Sequence, residues 1–66
     1  MSAHSAPIMQ FFAYQHLPPH LQEISRPVAD LAMHMGTILP SNAETSAGLR
    51  KLLEAKDCFV RARIAV

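Results

Sequence analysis

The sequence predicts an all-α chain: an antiparallel two-helix hairpin with an extended N-terminal arm, assembled as a homo-oligomer. Two helical apolar patterns predict the hairpin, and the small size of the chain predicts the assembly. From Leu17, apolar residues recur at alternating spacings of four and three through Leu21, Ile24, Val28, Leu31, Met35 and Ile38. That is a heptad-type repeat. Further on, Leu49, Leu52, Leu53, Phe59 and Val60 fall on one arc about 120° wide at about 100° per residue. The chain has 66 residues, 50% of them hydrophobic and 17% charged. That is too apolar for a disordered chain. A chain this short buries only about 60% of its unfolded surface, so one hairpin cannot cover both faces. Small domains commonly need disulfides, a metal or oligomerisation. Cys58 is the single cysteine, so there is no internal disulfide. No CxxC or Cys/His cluster supplies a zinc site. Oligomerisation is the device that is left.

The elements follow in order. Residues 1–10 are small, polar and proline-containing, and are read as a mobile arm. Residues 11–66 make the single hairpin domain. Phe11-Phe12-Ala13-Tyr14 precedes Pro18-Pro19, and two prolines stop a helix before them and suit a first helical turn. The aromatic block is therefore expected to run extended and to dock on helices. Helix one is predicted over residues 18–38. Pro27 inside it removes the hydrogen bond to the Glu23 carbonyl, at about 3 kcal/mol. The heptad phase runs through Pro27 without a slip, so a kink is expected rather than two helices. Leu39-Pro40-Ser41 is the turn. Ser41 and Glu44 have the spacing of a capping box. Helix two is predicted over 42–63, with Arg50–Glu54 and Asp57–Arg61 as pairs one turn apart on its outer face. Gly48 costs about 1 kcal/mol against alanine in a helix, and it also permits close approach. The short turn makes the helices antiparallel.

The formal charge is +1 and the pI is about 8.0. A duplex nucleic-acid binder usually shows a concentrated basic patch, so no duplex partner is expected. A small anionic ligand remains open. Met1 to Pro7 lacks the basic and apolar regions of a signal peptide. No apolar run approaches the ~20 residues of a membrane span. The expectation is a cytoplasmic protein with no membrane partner and with Cys58 reduced.

Lys56 is the most informative side chain. It falls near the middle of the apolar arc of helix two, while Arg50, Lys51, Glu54, Asp57 and Arg61 lie off it. A lysine aimed into an apolar seam is costly unless an anion meets it or its stem reaches out to water. It suits phosphate capture at a subunit seam. It equally suits a snorkelling lysine, or an ion pair with Glu23 or Asp30 of another helix. Tyr14 and Phe12 offer aromatic faces for a nucleobase, or filling for an apolar groove. His16 and His20 form an HxxxH broken by Leu17-Pro18-Pro19, so no metal site is expected. They suit hydrogen bonds to a base or phosphate, or a role at the helix start. Arg26, beside Pro27, has the planar fork for a phosphate, or is solvated. No nucleophile–base–orienter set stands out, so no catalytic residue and no cofactor are expected. The methionines read as core filler.

The order of parts is an aromatic-tipped arm ending Tyr14-Gln15-His16-Leu17-Pro18, a helix, a short turn and a second helix ending Val60-Arg61-Ala62. Over roughly residues 11–63 this resembles the bacteriophage helical-hairpin proteins of the anti-CBASS and anti-Thoeris type, which sequester cyclic nucleotide immune signals. The resemblance implies a homo-oligomer, commonly a hexamer, in the cytoplasm of an infected bacterial cell. It implies binding, without cleavage, of a cyclic di- or trinucleotide or a cyclic ADP-ribose-type signal between subunits. It also implies a stacking tyrosine, matched by Tyr14, and a helix-one lysine, whose place here is Ala29. With that lysine missing, the phosphate contacts fall to Arg26 and Lys56, with His16, His20 and Arg50 as further candidates. The alternative is a helical-hairpin interaction module that docks on a protein and holds no small molecule. A weaker alternative is a structural component of a phage particle.

Overall fold

The computed structural model describes residues 8–65. They form a helical hairpin: a 3₁₀ turn over Met9–Phe12, helix α1 over Pro19–Ile38 and helix α2 over Ala43–Ala65. No strand occurs among the described residues. Helix α1 starts at the double proline. The Pro18 carbonyl accepts from the N–H groups of Leu21 and Gln22, both at 3.0 Å. Pro19 lies at the helix start, where its missing N–H leaves nothing unsatisfied. Pro27 stays inside one continuous helix, as the unbroken apolar phase predicts. Leu39 then turns to an extended conformation, and Pro40 follows.

Helix α2 is capped by Asn42, not by Ser41. The Thr45 N–H donates to Asn42 Oδ1 at 2.9 Å. Asparagine caps as well as serine, and the one-residue shift places Ser41 outside the helix. Arg63, near the end of α2, reaches the start of α1. Its Nη1 donates to Glu23 Oε1 at 3.0 Å and to the His20 carbonyl at 3.4 Å, so the helices run antiparallel.

The seam between the helices differs from the expected heptad line. On α1 the buried residues are Leu21, Ser25, Ala29, Ala32 and Gly36. On α2 they are Thr45 and Leu49. The heptad residues Ile24, Val28, Leu31 and Met35 sit about 60–120° round the helix from Ser25 at about 100° per residue. Leu31 and Ile38 are exposed. The physical reason is packing distance. Small side chains let helix axes approach closely, so the line of Ser, Ala and Gly turns inward and the larger residues flank it.

The aromatic block also differs from expectation. It does not run extended: Met9–Phe12 is a 3₁₀ turn. In a 3₁₀ turn, residues three apart lie on one side. Met9 and Phe12 thus both face the helices, and Phe12 is 2% exposed in a cluster with Ala29, Ala32 and Leu49. Burying such a ring stabilises by about 1.5–3 kcal/mol. The expected docking occurs, through a compact turn. Most of the arm expected over 1–10 lies outside the described residues, but Ile8 and Met9 pack against the cluster.

Candidate functional site

A recess of about 360 Å³ lies where the 3₁₀ turn, the segment after it, α1 and α2 meet. The turn contributes Gln10 and Phe11, and the connecting segment contributes His16 and Leu17. Helix α1 contributes Ser25, and α2 contributes Lys56, Asp57, Val60 and Arg61.

The connecting segment is held by a glutamine. The Leu17 N–H donates to the Tyr14 carbonyl at 3.0 Å and closes a turn. Gln22 Nε2 then donates to the Leu17 carbonyl at 2.7 Å and the Gln15 carbonyl at 3.4 Å. His16 sits between the two clamped carbonyls, so its ring is presented from a fixed backbone.

Lys56 supplies the charge. Its side chain is only 14% exposed, and its Nζ lies 2.8 Å from Asp57 Oδ1, whose own side chain is 46% exposed. The lysine on the apolar arc is thus neither free nor paired with Glu23 or Asp30; its acid is its chain neighbour. That pairing replaces the expected Asp57–Arg61 pair. Arg61 Nη2 instead donates to Cys58 Sγ at 3.3 Å. Nor is Arg50–Glu54 formed. Among the described residues the two ion pairs are Lys56–Asp57 and Arg63–Glu23.

Ser25 supplies an unmet hydrogen bond. The residue is 1% exposed and its Oγ has no hydrogen-bond partner among the described residues. A buried polar group left unpaired costs about 1–3 kcal/mol; this hydroxyl belongs to a residue of the wall shared with Lys56, and its oxygen is shielded from solvent. Two cations, one carboxylate, a hydroxyl, an imidazole and the exposed ring of Phe11 suit a small anion carrying an aromatic group.

Of the six candidate ligand residues, Lys56 and His16 come together here. Tyr14 is half-buried and packs against the Phe12 cluster. His20, Arg26 and Arg50 are exposed and do not line the recess. Sequence reasoning missed Phe11, Arg61 and the Ser25 hydroxyl. Arg61 carries a helical signal, since it stands four residues, about one turn, after the recess residue Asp57. Ser25 carries none, because its role depends on which arc of α1 faces inward.

The opposite flank of the hairpin bears two larger, open grooves. One, of about 580 Å³ at the loop end, is lined by Leu31, Met35, Leu39, Gly48, Leu52 and others. The other, of about 490 Å³ at the end near the termini, is lined by residues including Ile24, Val28, Phe59 and Arg63. Neither gathers hydrogen-bonding groups as the smaller recess does. Among the described residues no helix is long and apolar enough to cross a membrane. The chain matches no family model, no curated protein and no solved structure.

Proposed function

We propose that this chain is a binding protein of the sponge type. As a homo-oligomer it would hold a cyclic oligonucleotide or cyclic ADP-ribose-type signal without cleaving it. The observation that carries the reading is the largely buried Lys56 on the wall of a recess that Arg61, His16 and the exposed Phe11 also line. Lysine gives a phosphate a compact point charge, and the Arg61 guanidinium on the same recess gives it a planar fork of N–H donors. In this reading the exposed ring of Phe11, which lines the recess, stacks on a base, a contact worth about 1–3 kcal/mol. The recess volume of about 360 Å³ lies near the lower end of the ~300–1,000 Å³ of small-molecule pockets. One nucleotide unit fits that scale, and the rest of a cyclic ligand would lie against a second subunit. The setting of this reading is the cytoplasm of an infected bacterial cell.

Asp57 sets a test within the test. A bound phosphate competes with that carboxylate for Lys56. In a thermal-shift panel of cyclic nucleotides, a ligand at 100 times its Kd adds about 2.7 kcal/mol of stability. Lys56→Met, which keeps the stem, is expected to abolish the shift, and Asp57→Asn to enlarge it. No shift with any cyclic nucleotide rejects this reading. It would leave the interaction-module reading, which the open grooves of the opposite flank favour.

A further inference from the structure

The open flank of the hairpin carries a pattern that a single copy does not explain. Gly48 stands inside α2, where glycine costs about 1 kcal/mol against alanine. A Cβ built there meets nothing within 4 Å, so the packing of one chain does not require it. On the same flank Phe59 projects into solvent, 56% exposed. At about 100° per residue, Gly48, Leu52, Ala55 and Phe59 share one stripe of α2. Ile24, Val28, Leu31 and Met35 share the matching stripe of α1.

The positions are arranged symmetrically. Residues 48 and 59 lie equally far from the point between 53 and 54, and so do 52 and 55. The same holds for 44 and 63, and these two carry opposite charge. Glu44 lines the loop-end groove and Arg63 the groove near the termini. Among the described residues Glu44 forms no ion pair. Within one copy the two are about 28 Å apart along the helix at about 1.5 Å per residue.

We infer that this flank is a two-fold interface between two copies of the chain, with its axis passing between residues 53 and 54 of α2. Under that symmetry the loop end of each copy covers the end near the termini of the other, and the contact is isologous. Phe59 of one copy enters the space over Gly48 of the other, twice. Leu52 meets Ala55, twice. Glu44 of each copy meets Arg63 of the other at the rim. Arg63 already pairs with Glu23 in its own copy, so Glu44 of the other copy joins that pair at the rim. The exposed Phe59 of each copy facing the bare Gly48 of the other, twice under one rotation, is what singles out a second copy rather than an unrelated protein as the occupant. The inference deepens the homo-oligomer part of the proposed function and is independent of the ligand.

Sedimentation equilibrium of the full chain over a wide concentration range tests it. Wild type is expected to show reversible dimers, alone or as units of a larger assembly. Phe59→Lys and Gly48→Leu alter exposed residues and are expected to keep the helical circular dichroism spectrum. Loss of a buried aromatic anchor is expected to weaken the association at least about tenfold. Glu44→Arg is expected to weaken it by about two- to fivefold, as a rim ion pair does, and Arg63→Glu in the same chain to recover part of that loss. A monomer at every concentration overturns both this inference and the homo-oligomer reading. An oligomer unmoved by Phe59→Lys and Gly48→Leu overturns the interface alone. The second outcome leaves the cyclic-nucleotide reading standing, and the panel tests binding at the recess in either case.

Discussion

The two flanks of the hairpin are built from the same pair of helices, yet one is covered and the other is open. On the covered flank the 3₁₀ turn lays Phe12 over Ala29, Ala32 and Leu49, leaving the ring 2% exposed. On the open flank Phe59 is 56% exposed and Leu31 45%. Aromatic and aliphatic residues occur on both, so hydrophobicity does not separate them. A local segment of chain does. The turn covers one flank from within and creates, at its edge, a recess with polar walls. The other flank has no such cover and stays apolar and shallow.

The contrast is sharpest for two phenylalanines. Phe12→Ala is expected to destabilise the fold by about 3–5 kcal/mol, as for other buried phenylalanines. For a chain with so small a core that amounts to unfolding, visible as lost helical signal in urea titration. Phe59→Ala, measured in dilute protein where copies are apart, is expected to stay within about 0.5 kcal/mol. Equal losses at both sites would erase the distinction between the flanks.

Ala32→Leu probes the seam itself. Ala32 is fully buried, and added methylenes in a packed core cost about 1–3 kcal/mol. Denaturant midpoints of this variant against Met33→Leu, on an exposed neighbour, measure how far the seam is more demanding than the surface beside it. Asn42→Ala is expected to cost about 1 kcal/mol through loss of the cap, and Ser41→Ala close to nothing. A larger loss at Ser41 would restore the cap expected from the capping-box spacing. Arg63→Ala is expected to cost little: the pair with Glu23 is largely exposed, and such pairs are worth about 0.2–1 kcal/mol. A thermal melt in low and high salt reads that term, which shrinks as salt rises.

Much of the hairpin was legible in the sequence. Pro18-Pro19 marks the start of α1, the unbroken phase across Pro27 predicts one helix, and Leu39-Pro40 marks its end. Lys56 was legible too, because its place on the arc of Leu49 and Val60 is a matter of helical period alone. What stayed hidden depends on partners. The apolar repeat of α1 weights large side chains, whereas the seam selected small ones, so the inward arc was displaced towards Ser25 and Ala29. The pairing of Lys56 with Asp57 was hidden by the rule that neighbours in a helix point apart; a long lysine stem reaches back. The 3₁₀ turn was hidden because four residues carry no period, and Phe12 finds its place only through contact with both helices.

The line of Ser25, Ala29, Ala32 and Gly36 has a geometric consequence. It sets the spacing between the helix axes, and that spacing is the common floor of both flanks. Any change that spreads α1 from α2 makes the recess beneath the turn shallower or wider and flattens the opposite grooves at the same stroke. The two flanks therefore share one mechanical variable. A bulkier residue at Ala29 or Ala32, both buried in that line, would disturb both flanks together.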